Sequence, residues 1–427
     1  MSARSALRSF SHRTFAALSG RNYRLWFGGQ SISLVGTWMQ SVAQSWLVYE
    51  LTGSAAVLGT VVAIQTVPTL LLGPYAGVWV DRVDKRRLMI GLQALMGLQA
   101  LALAVLTLSG AVLLWHVYLL AAVLGLNKAF ENPARQAFVQ ELVGRDDLRN
   151  AVTLNSVLTN AARAVGPAIA GAVIVAGGTG ICFAVNAASF VAVVGSLLRL
   201  DVAALAPAVR APRAPGQLRE GLAYVRDDPQ LLVPLVMMAL IGCLAYEFPV
   251  VLPVVASETF GGNADVYGYL TGAMGLGAVV GGLGVAGRGR TGLPSLVRTA
   301  AAFGVVLALA AVAPTLWVAL LAMALVGMAS VAFMAGGNST LQLASEPHMR
   351  GRVMALWSVA FLGSTPVGGP VAGWVSEHLG GRAGLALGAL ACFAAAAIGV
   401  PAMRRERASA DPAAGGDAQQ VPGRPLG

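Results

Sequence analysis

The chain is poor in charge, and this sets its class. Charged residues make up only 11% of its 427 residues, whereas 56% are hydrophobic and the mean hydropathy is +0.71. Soluble domains carry about 25% charged residues. A chain this apolar is not a typical soluble domain, so we expect an integral membrane protein.

Cysteine and histidine are also scarce. Cys182, Cys243 and Cys392 lie far apart in apolar segments, and the four histidines show no metal-ligand spacing. We expect packed thiols, no disulfide, no metal and no cofactor. The chain has no Gly-x-x-x-x-Gly-Lys-Ser/Thr loop, which argues against direct use of ATP. A membrane enzyme acting on lipid-linked substrates is a remote alternative, because no cluster of catalytic side chains is evident.

Apolar segments of about 20 residues, the length that crosses a bilayer core, recur through the chain. We therefore expect an all-α membrane fold. Twelve spans are predicted: 25–50, 55–80, 87–109, 113–141, 149–176, 180–200, 229–257, 264–286, 294–313, 315–343, 350–377 and 380–403.

The basic residues support this count. Cytoplasmic loops of membrane proteins carry an excess of Lys and Arg. If both termini are cytoplasmic, 25 of the 29 basic residues fall on cytoplasmic segments and only Arg382 falls on an outer loop. The remaining three, Lys128, Arg135 and Arg163, lie inside spans. The net charge of +10 is then a topology signal facing anionic lipids, and no nucleic-acid partner is expected. The basic start does not resemble a signal peptide, and the first span is expected to be an uncleaved membrane anchor. We expect a multi-pass protein of the bacterial cytoplasmic (inner) membrane.

The spans divide six and six around a Pro-, Ala- and Arg-rich segment. A shift of 202 residues lays Gly166 and Gly171 on Gly368 and Gly373, an internal repeat that supports two homologous bundles. The linker can hold a short amphipathic helix near 218–225. The predicted parts are an N-terminal cytoplasmic segment 1–24, a first bundle 25–200, a linker 201–228, a second bundle 229–403 and a disordered cytoplasmic tail 404–427.

The stretch "GPYAGVWVDRVDKRR" joins spans two and three. A glycine in it lets two helices approach closely, and an acid at the membrane edge can pair with a cation or a helix N-terminus. The stretch resembles the signature loop of the major facilitator superfamily, which implies a cytoplasmic gate, although Asp84 stands where many members have glycine. The second half keeps glycines and arginines in "GGLGVAGRGRTG" but has no acid there. The gate residues implied are Gly73, Gly77, Asp81, Arg82, Arg86 and Arg87.

Three further blocks lie within residues 21–200. They begin "RNYRLWFGGQSISLVGTWMQ", "ENPARQAFVQELVGRDD" and "NAARAVGPAIAG", and they resemble the branch of the superfamily that holds enterobactin-type siderophore exporters and macrolide efflux pumps. Gly166, Pro167 and Gly171 are similar to the superfamily's antiporter motif, in which proline bends the helix. Ordinary packing of small residues is the alternative explanation.

Span four carries three charges deep in the membrane. At ~1.5 Å per residue, Arg135 lies ~10 Å inside, Glu131 ~16 Å, and Lys128 and Arg163 ~21 Å. Lys128, Glu131 and Arg135 share one helical face, and Arg163 shares a face of span five with Ser156 and Asn160. The cost of burying charge excludes a lipid-facing orientation. The charges either form an ion network that ties spans four and five together or help to hold an anionic or polar substrate group.

Glu247, in span seven, has no cation nearby in sequence. Burial disfavours the charged form of such a carboxyl group, which makes it the better candidate proton carrier than Glu131. The alternative is that it faces the outer vestibule or pairs with a cation of the first half. In span one, Trp38, Gln40 and Gln44 are expected to line the central cavity, since the resemblance implies that the first and fourth helices of each half do so.

The sequence therefore predicts a monomeric secondary transporter with alternating access, working on a small-molecule substrate within the lipid bilayer. Proton-coupled efflux of an amphipathic compound is the favoured function. Import of a nutrient or metabolite is the alternative within transport.

Overall fold

The computed structural model describes residues 16–144, 147–206, 217–288, 291–346 and 348–410, and helices account for nearly all of them. Within those ranges there is no β-strand. In hydrocarbon every backbone N–H and C=O needs a partner inside the chain, and a helix supplies these partners locally. The all-α prediction is confirmed.

The first bundle follows a short 3₁₀ turn, Ala16–Ser19. Its six spans agree with the predicted ranges to within about four residues. Spans one to six are the helices Arg21–Thr52, Ala55–Val80, Lys85–Leu108, Leu114–Val143, Leu148–Gly177 and Thr179–Leu198.

The second bundle follows a linker helix, Gln217–Arg226, where the sequence suggests a short amphipathic helix. Span twelve continues to Ala410, past the predicted start of the tail at 404, and residues 411–427 lie outside the described residues. Spans seven to twelve are Pro229–Leu244 with Phe248–Val254 and a π turn Val255–Thr259, Ala264–Arg288, Leu293–Ala311, Leu316–Ala344, Arg350–Leu362 with Thr365–Leu379, and Gly381–Ala410.

Spans seven and eleven are interrupted, which the sequence analysis did not predict. In each, a proline stands near the start of the second segment, Pro249 in span seven and Pro366 in span eleven. Proline has no N–H to donate and disfavours helical geometry in the residue before it. The interruption therefore comes just before each proline.

Short turns join the spans and are closed by local hydrogen bonds. Ser54 accepts a hydrogen bond from Val57 N at the start of span two, and Asp84 accepts one from Arg87 N at the start of span three. Asp84 thus acts as a helix cap in the position where the family pattern has glycine. Gly53, with φ of 61°, ends span one in the left-handed region.

The surface of the bundle is apolar. Leu98, Val191 and Leu321 are each more than 60% exposed, which would be costly in water but suits contact with lipid. Eight stretches of the described chain are long and apolar enough to cross a membrane by length and composition. The other four spans, one, four, eight and eleven, are more polar, richer in glycine or interrupted. The fold is an integral membrane fold of two pseudo-symmetric six-helix bundles.

The two halves meet at two helix crossings, span two on span eleven and span five on span eight. A Cβ atom on Gly171 would lie 2.7 Å from Gly268 Cα, and one on Gly373 would lie 3.0 Å from the carbonyl carbon of Ala55. Gly171 and Gly373 are the pair that the internal repeat aligns. Both crossings lie towards the end of the bundle that carries the turns near 53, 178 and 261, here named the far face. The opposite end is named the linker face.

Candidate functional site

Glu131 and Arg135 of span four form an ion pair inside the first bundle. Arg135 Nε lies 3.0 Å from Glu131 Oε1, and both side chains are largely buried. Arg135 also contacts Asn132 and, on span five, Asn155, each at 3.5 Å. This part of the cluster matches the interpretation in which ions tie spans four and five together. Asn155, the contact on span five, was missed by the sequence analysis.

Lys128 lies one turn away from this pair and has different surroundings. Its side chain lines a cavity between spans one, two, three, four and six. Glu131, the nearest acid in sequence, is engaged by Arg135. No described residue accepts a hydrogen bond from the Lys128 ammonium or lies in an ion pair with it. The structure therefore separates two cations that the sequence places on one helical face.

Arg163 lies near the boundary between the halves. Its Cζ is 5.0 Å from the centre of the Trp38 ring, a cation–π contact between spans five and one. Its Nε is buried and has no hydrogen-bond partner among the described atoms. Ser156, predicted on the same face, is exposed and donates to Val152 O, and the Asn160 side chain lies outside the described residues.

Glu247 occupies the interruption of span seven. It is 3% exposed, and Thr365 of span eleven contributes a side-chain hydrogen bond. A Cβ atom on Gly368 would lie 3.0 Å from Glu247 Oε1, so the carboxyl group packs against the glycines of span eleven. The next residue, Gly369, contacts Gly59 of span two. The carboxyl group therefore sits directly behind a crossing between the halves and does not face an open vestibule.

Span one contributes amides to the interior of the first bundle. Gln40 Nε2 donates to Gln99 Oε1 at 2.9 Å, and Asn186 Nδ2 donates to Gln40 Oε1 at 2.7 Å. Side chains of spans three and six bond the Gln40 amide, and Gln40 lines the same cavity as Lys128. A role for Gln40 in lining the central cavity between the halves stays a prediction. Gln44 is buried too and faces the same cavity as Lys128. Gln99 and Asn186 were missed, since a single amide in an apolar span does not show its partner.

The predicted gate loop is held within the first half. Arg86 donates to the carbonyl groups of Leu197 and Leu198, at 2.9 and 3.1 Å, at the end of span six. Gly77 is buried and its carbonyl accepts from Asp81 N, while Arg82 and Arg87 are exposed. Gly73 has open space around its Cα. These contacts fix the loop on spans three and six.

A second ion pair strengthens this region. Lys85 Nζ lies 3.0 Å from Glu141 Oε1, and both side chains are mostly buried. From the sequence, Lys85 was interpreted only as a topology signal. The pair could have been predicted, because spans three and four are antiparallel and carry opposite charges at ends that lie side by side.

The segment with Gly166, Pro167 and Gly171 lies in one continuous helix, Leu148–Gly177. A Cβ atom on Gly166 would lie 2.5 Å from Trp38 Cβ, so this glycine brings spans five and one together. Gly171 brings span five against Gly268 of the other half. Pro167 is buried between them. The segment thus packs on both halves.

The sequence is similar to those of known membrane transporters. The family model described as transmembrane secretion effector matches residues 12–421. The chain is 24% identical to macrolide efflux protein A of Streptococcus pyogenes over 84% of this chain and 90% of that protein. It is 27% identical to the staphyloferrin A transporter of Staphylococcus aureus over 60% of this chain and 65% of that protein. The match thus spans slightly less than two thirds of the latter relative.

Among solved structures, a bacterial homologue of the iron transporter ferroportin in an inward-facing state is similar in fold. It has a TM-score of 0.69 and 15% sequence identity, and the match covers 89% of this chain and 98% of that one. At this identity the likeness concerns the fold alone.

Proposed function

Because the chain belongs to the transmembrane secretion effector family of the major facilitator superfamily, we propose that it exports amphipathic small molecules in exchange for protons. It is a membrane transporter and not an enzyme. The proposal places it in the bacterial inner membrane as a monomer, with both termini and the linker face in the cytoplasm. The proposed export direction draws on relatives named for macrolide efflux.

One observation carries the proton-coupling part of the proposal, namely the position of Glu247. An enclosed carboxyl group lacks the water that would stabilise its ionised form. Whether it holds a proton therefore depends on its surroundings. Its surroundings include Gly368 and Gly369 of span eleven, at the crossing with span two. When the halves rock apart at this crossing, water reaches the carboxyl group and its proton affinity changes. This couples proton binding to the direction in which the cavity opens.

The remaining candidate residues have supporting roles in the proposal. In the segment with Gly166, Pro167 and Gly171, the contact of Gly171 with Gly268 is the place where span five moves against span eight, while Gly166 keeps span five on span one. Asp81 and the basic residues Arg82, Arg86 and Arg87, with Gly73 and Gly77, form the cytoplasmic gate when the linker face closes. Arg163 and Trp38, at the boundary between the halves, contact cargo, with Gln44 lining the adjoining cavity.

The test uses purified protein in liposomes with an imposed pH gradient and a labelled macrolide as cargo. We expect gradient-driven accumulation in wild type. In Glu247→Gln the rate of this accumulation should fall at least tenfold, because glutamine keeps the shape of glutamate but does not bind or release a proton. Exchange of labelled for unlabelled cargo without a gradient should persist in this variant, which shows that it is folded. Glu50→Gln, an exposed far-face carboxyl group, is the matched control.

Gradient-driven accumulation that survives in Glu247→Gln would remove Glu247 as the proton carrier. Accumulation that needs the opposite gradient, with protons and cargo moving together, would replace export by import. Susceptibility profiling of a deletion strain, with siderophore measurement in its medium, identifies the cargo in cells.

A further inference from the structure

We propose that the cavity beside Lys128 binds the carboxylate of an amphipathic anion, with the apolar part of that molecule in the adjoining space. The observation is a half-buried cation, with no hydrogen-bond or ion-pair partner among the described residues, in a cavity whose other polar groups are amides and hydroxyls. This deepens the proposed function by naming the chemical class of the cargo.

Two adjoining cavities share Ser41, Gln44 and Gln65 in their walls, and we name them the smaller and the larger lobe. The smaller lobe, lined by Lys128, offers about 20 Å³ to the centre of a water-sized group. One water needs about 10–15 Å³ by this measure, so the smaller lobe takes one small polar group. The larger lobe offers about 80 Å³. Apolar side chains dominate its remaining wall: Val48, Leu58, Val61, Val62 and Pro249.

Hydrogen bonding in the smaller lobe leaves two amides available to a ligand. The amide oxygens of Gln40, Gln99 and Asn186 accept hydrogen bonds from Asn186, Gln40 and Ser189, respectively. These oxygens are thus already engaged by other side chains. The side chains of Gln44 and Gln65 make no hydrogen bond with the described residues, and their N–H groups remain free to donate. The lobe therefore offers several donors and one positive charge.

The charge selects an anion. Among the described residues that line this lobe, Lys128 is the charged one. The Glu131 carboxylate forms its ion pair with Arg135 and acts on the Lys128 ammonium only from a distance. An unpaired cation deep in a membrane protein is costly, and an anionic ligand removes this cost. A carboxylate accepts from Lys128 and from the two glutamines together.

The larger lobe selects the rest of the molecule and links binding to movement. Four of its aliphatic side chains come from spans one and two, whereas Pro249 belongs to span seven of the other half. A ligand in this lobe therefore contacts both halves. When the halves rearrange, the apolar wall changes while Lys128 keeps its place in the first bundle. Such a ligand binds the two conformations differently, as a transported molecule must.

The experiment measures thermal unfolding of the full chain in lipid nanodiscs with three probes of one shape: 4-phenylbutyrate, 4-phenylbutanamide and 4-phenylbutylamine. We expect the carboxylate at saturation to raise the unfolding midpoint of wild type by roughly 3 °C or more, and the amide and amine to raise it less. In Lys128→Gln the carboxylate should have no more effect than the amide. Lys128→Arg should keep part of the effect. Arg298→Gln, which removes an exposed cation of span nine, should behave as wild type.

The ligand-free proteins separate binding from a structural role. Removal of a cation that has no ion-pair partner among the described residues should leave the midpoint of Lys128→Gln equal to or above that of wild type. A lower midpoint would identify Lys128 as a structural residue and overturn the proposal. So would equal stabilisation by amide and carboxylate, which would indicate an apolar pocket or one that holds only water.

A final arm distinguishes cargo from an inorganic ion. If sodium chloride alone raises the midpoint relative to sodium gluconate and abolishes the 4-phenylbutyrate effect, the lobe is a chloride site and the proposal fails. No gradient is used in these measurements. Failure here therefore leaves proton exchange untouched, and failure of gradient-driven flux leaves the binding result standing.

Discussion

The Glu377 carboxylate of span eleven accepts a hydrogen bond from the Ser54 hydroxyl of span two, at 2.5 Å. It also accepts one from Ala56 N at 2.8 Å. Glu377 therefore caps the N-terminus of a helix in the other half of the protein, where the helix dipole favours a negative charge. On the same face, Tyr49 of span one donates to Glu258 at 3.3 Å. These contacts and the glycine crossings hold the far face closed.

Glu377→Ala should shift the protein towards a conformation open at the far face. Loss of an exposed charge-assisted cap costs about 1 kcal/mol, which corresponds to a roughly fivefold change in the ratio of closed to open states. Double electron–electron resonance measures this ratio, as the distribution of distances between spin labels at positions 51 and 379. The labels are attached in a background without the three native cysteines. Glu346→Ala, which removes an exposed acid from the linker face, is the control. An unchanged distance distribution would show that the glycine crossings alone keep the face closed.

Gly268→Ala should disrupt the crossing of spans five and eight. Its Cβ would collide with Gly171 Cα, and a backbone cannot rotate away as a side chain does. We expect at least a tenfold fall in transport, together with a lower unfolding temperature. Gly195→Ala, in span six with open space around it, should be neutral or stabilising by up to about 1 kcal/mol. Equal behaviour of the two variants would mean that the crossing tolerates a wider separation.

Lys85→Met should destabilise the linker face of the first bundle, because it leaves the Glu141 carboxylate without its partner. We expect a loss of about 2–4 kcal/mol for a mostly buried pair. Unfolding in lipid nanodiscs measures it, and exchange of both charges, Lys85→Glu with Glu141→Lys, should recover much of the loss. The exposed arginine variant Arg87→Met serves as the comparison. No recovery in the exchanged protein would indicate that Lys85 acts through its hydrocarbon chain.

Glu131→Gln and Arg135→Gln should each cost more stability than the double variant. Either single change leaves one buried charge without its partner, at about 3 kcal/mol, whereas the double change removes both charges. A double-mutant cycle of unfolding free energies in nanodiscs gives the coupling. A coupling free energy near zero would contradict the ion pair between Glu131 and Arg135. Transport rates of the same variants show whether the pair also contributes to the change between conformations.

Much of the architecture could be predicted from the sequence because span formation is a local property. The length of an apolar segment decides whether it crosses the bilayer, and this placed the ends of spans one to six within about four residues. The interruptions of spans seven and eleven were missed, although Pro249 and Pro366 were visible. Proline is common in membrane helices that do not break, so its presence alone did not decide the matter.

The candidate site divides in the same way. The sequence showed that Lys128, Glu131 and Glu247 are charged residues within helical spans, because residue type and position along a helix are local properties. It did not show their partners. Neither the distance from Arg135 to Asn155 nor the packing of Glu247 against Gly368 can be read along one helix, because each depends on how two helices rotate about their axes.

By itself, the sequence determined that this is a membrane protein of twelve helical spans with internal repetition and buried charge, since hydrophobicity and helical rise act within short segments. Tertiary structure alone decided that Glu131 pairs with Arg135 while Lys128 lines a cavity, and that Glu377 caps a helix of the other half. The physical reason is that an ion pair or a cap needs atoms within about 3 Å. Residues 323 positions apart, as Ser54 and Glu377 are, reach that distance only when the two bundles pack together.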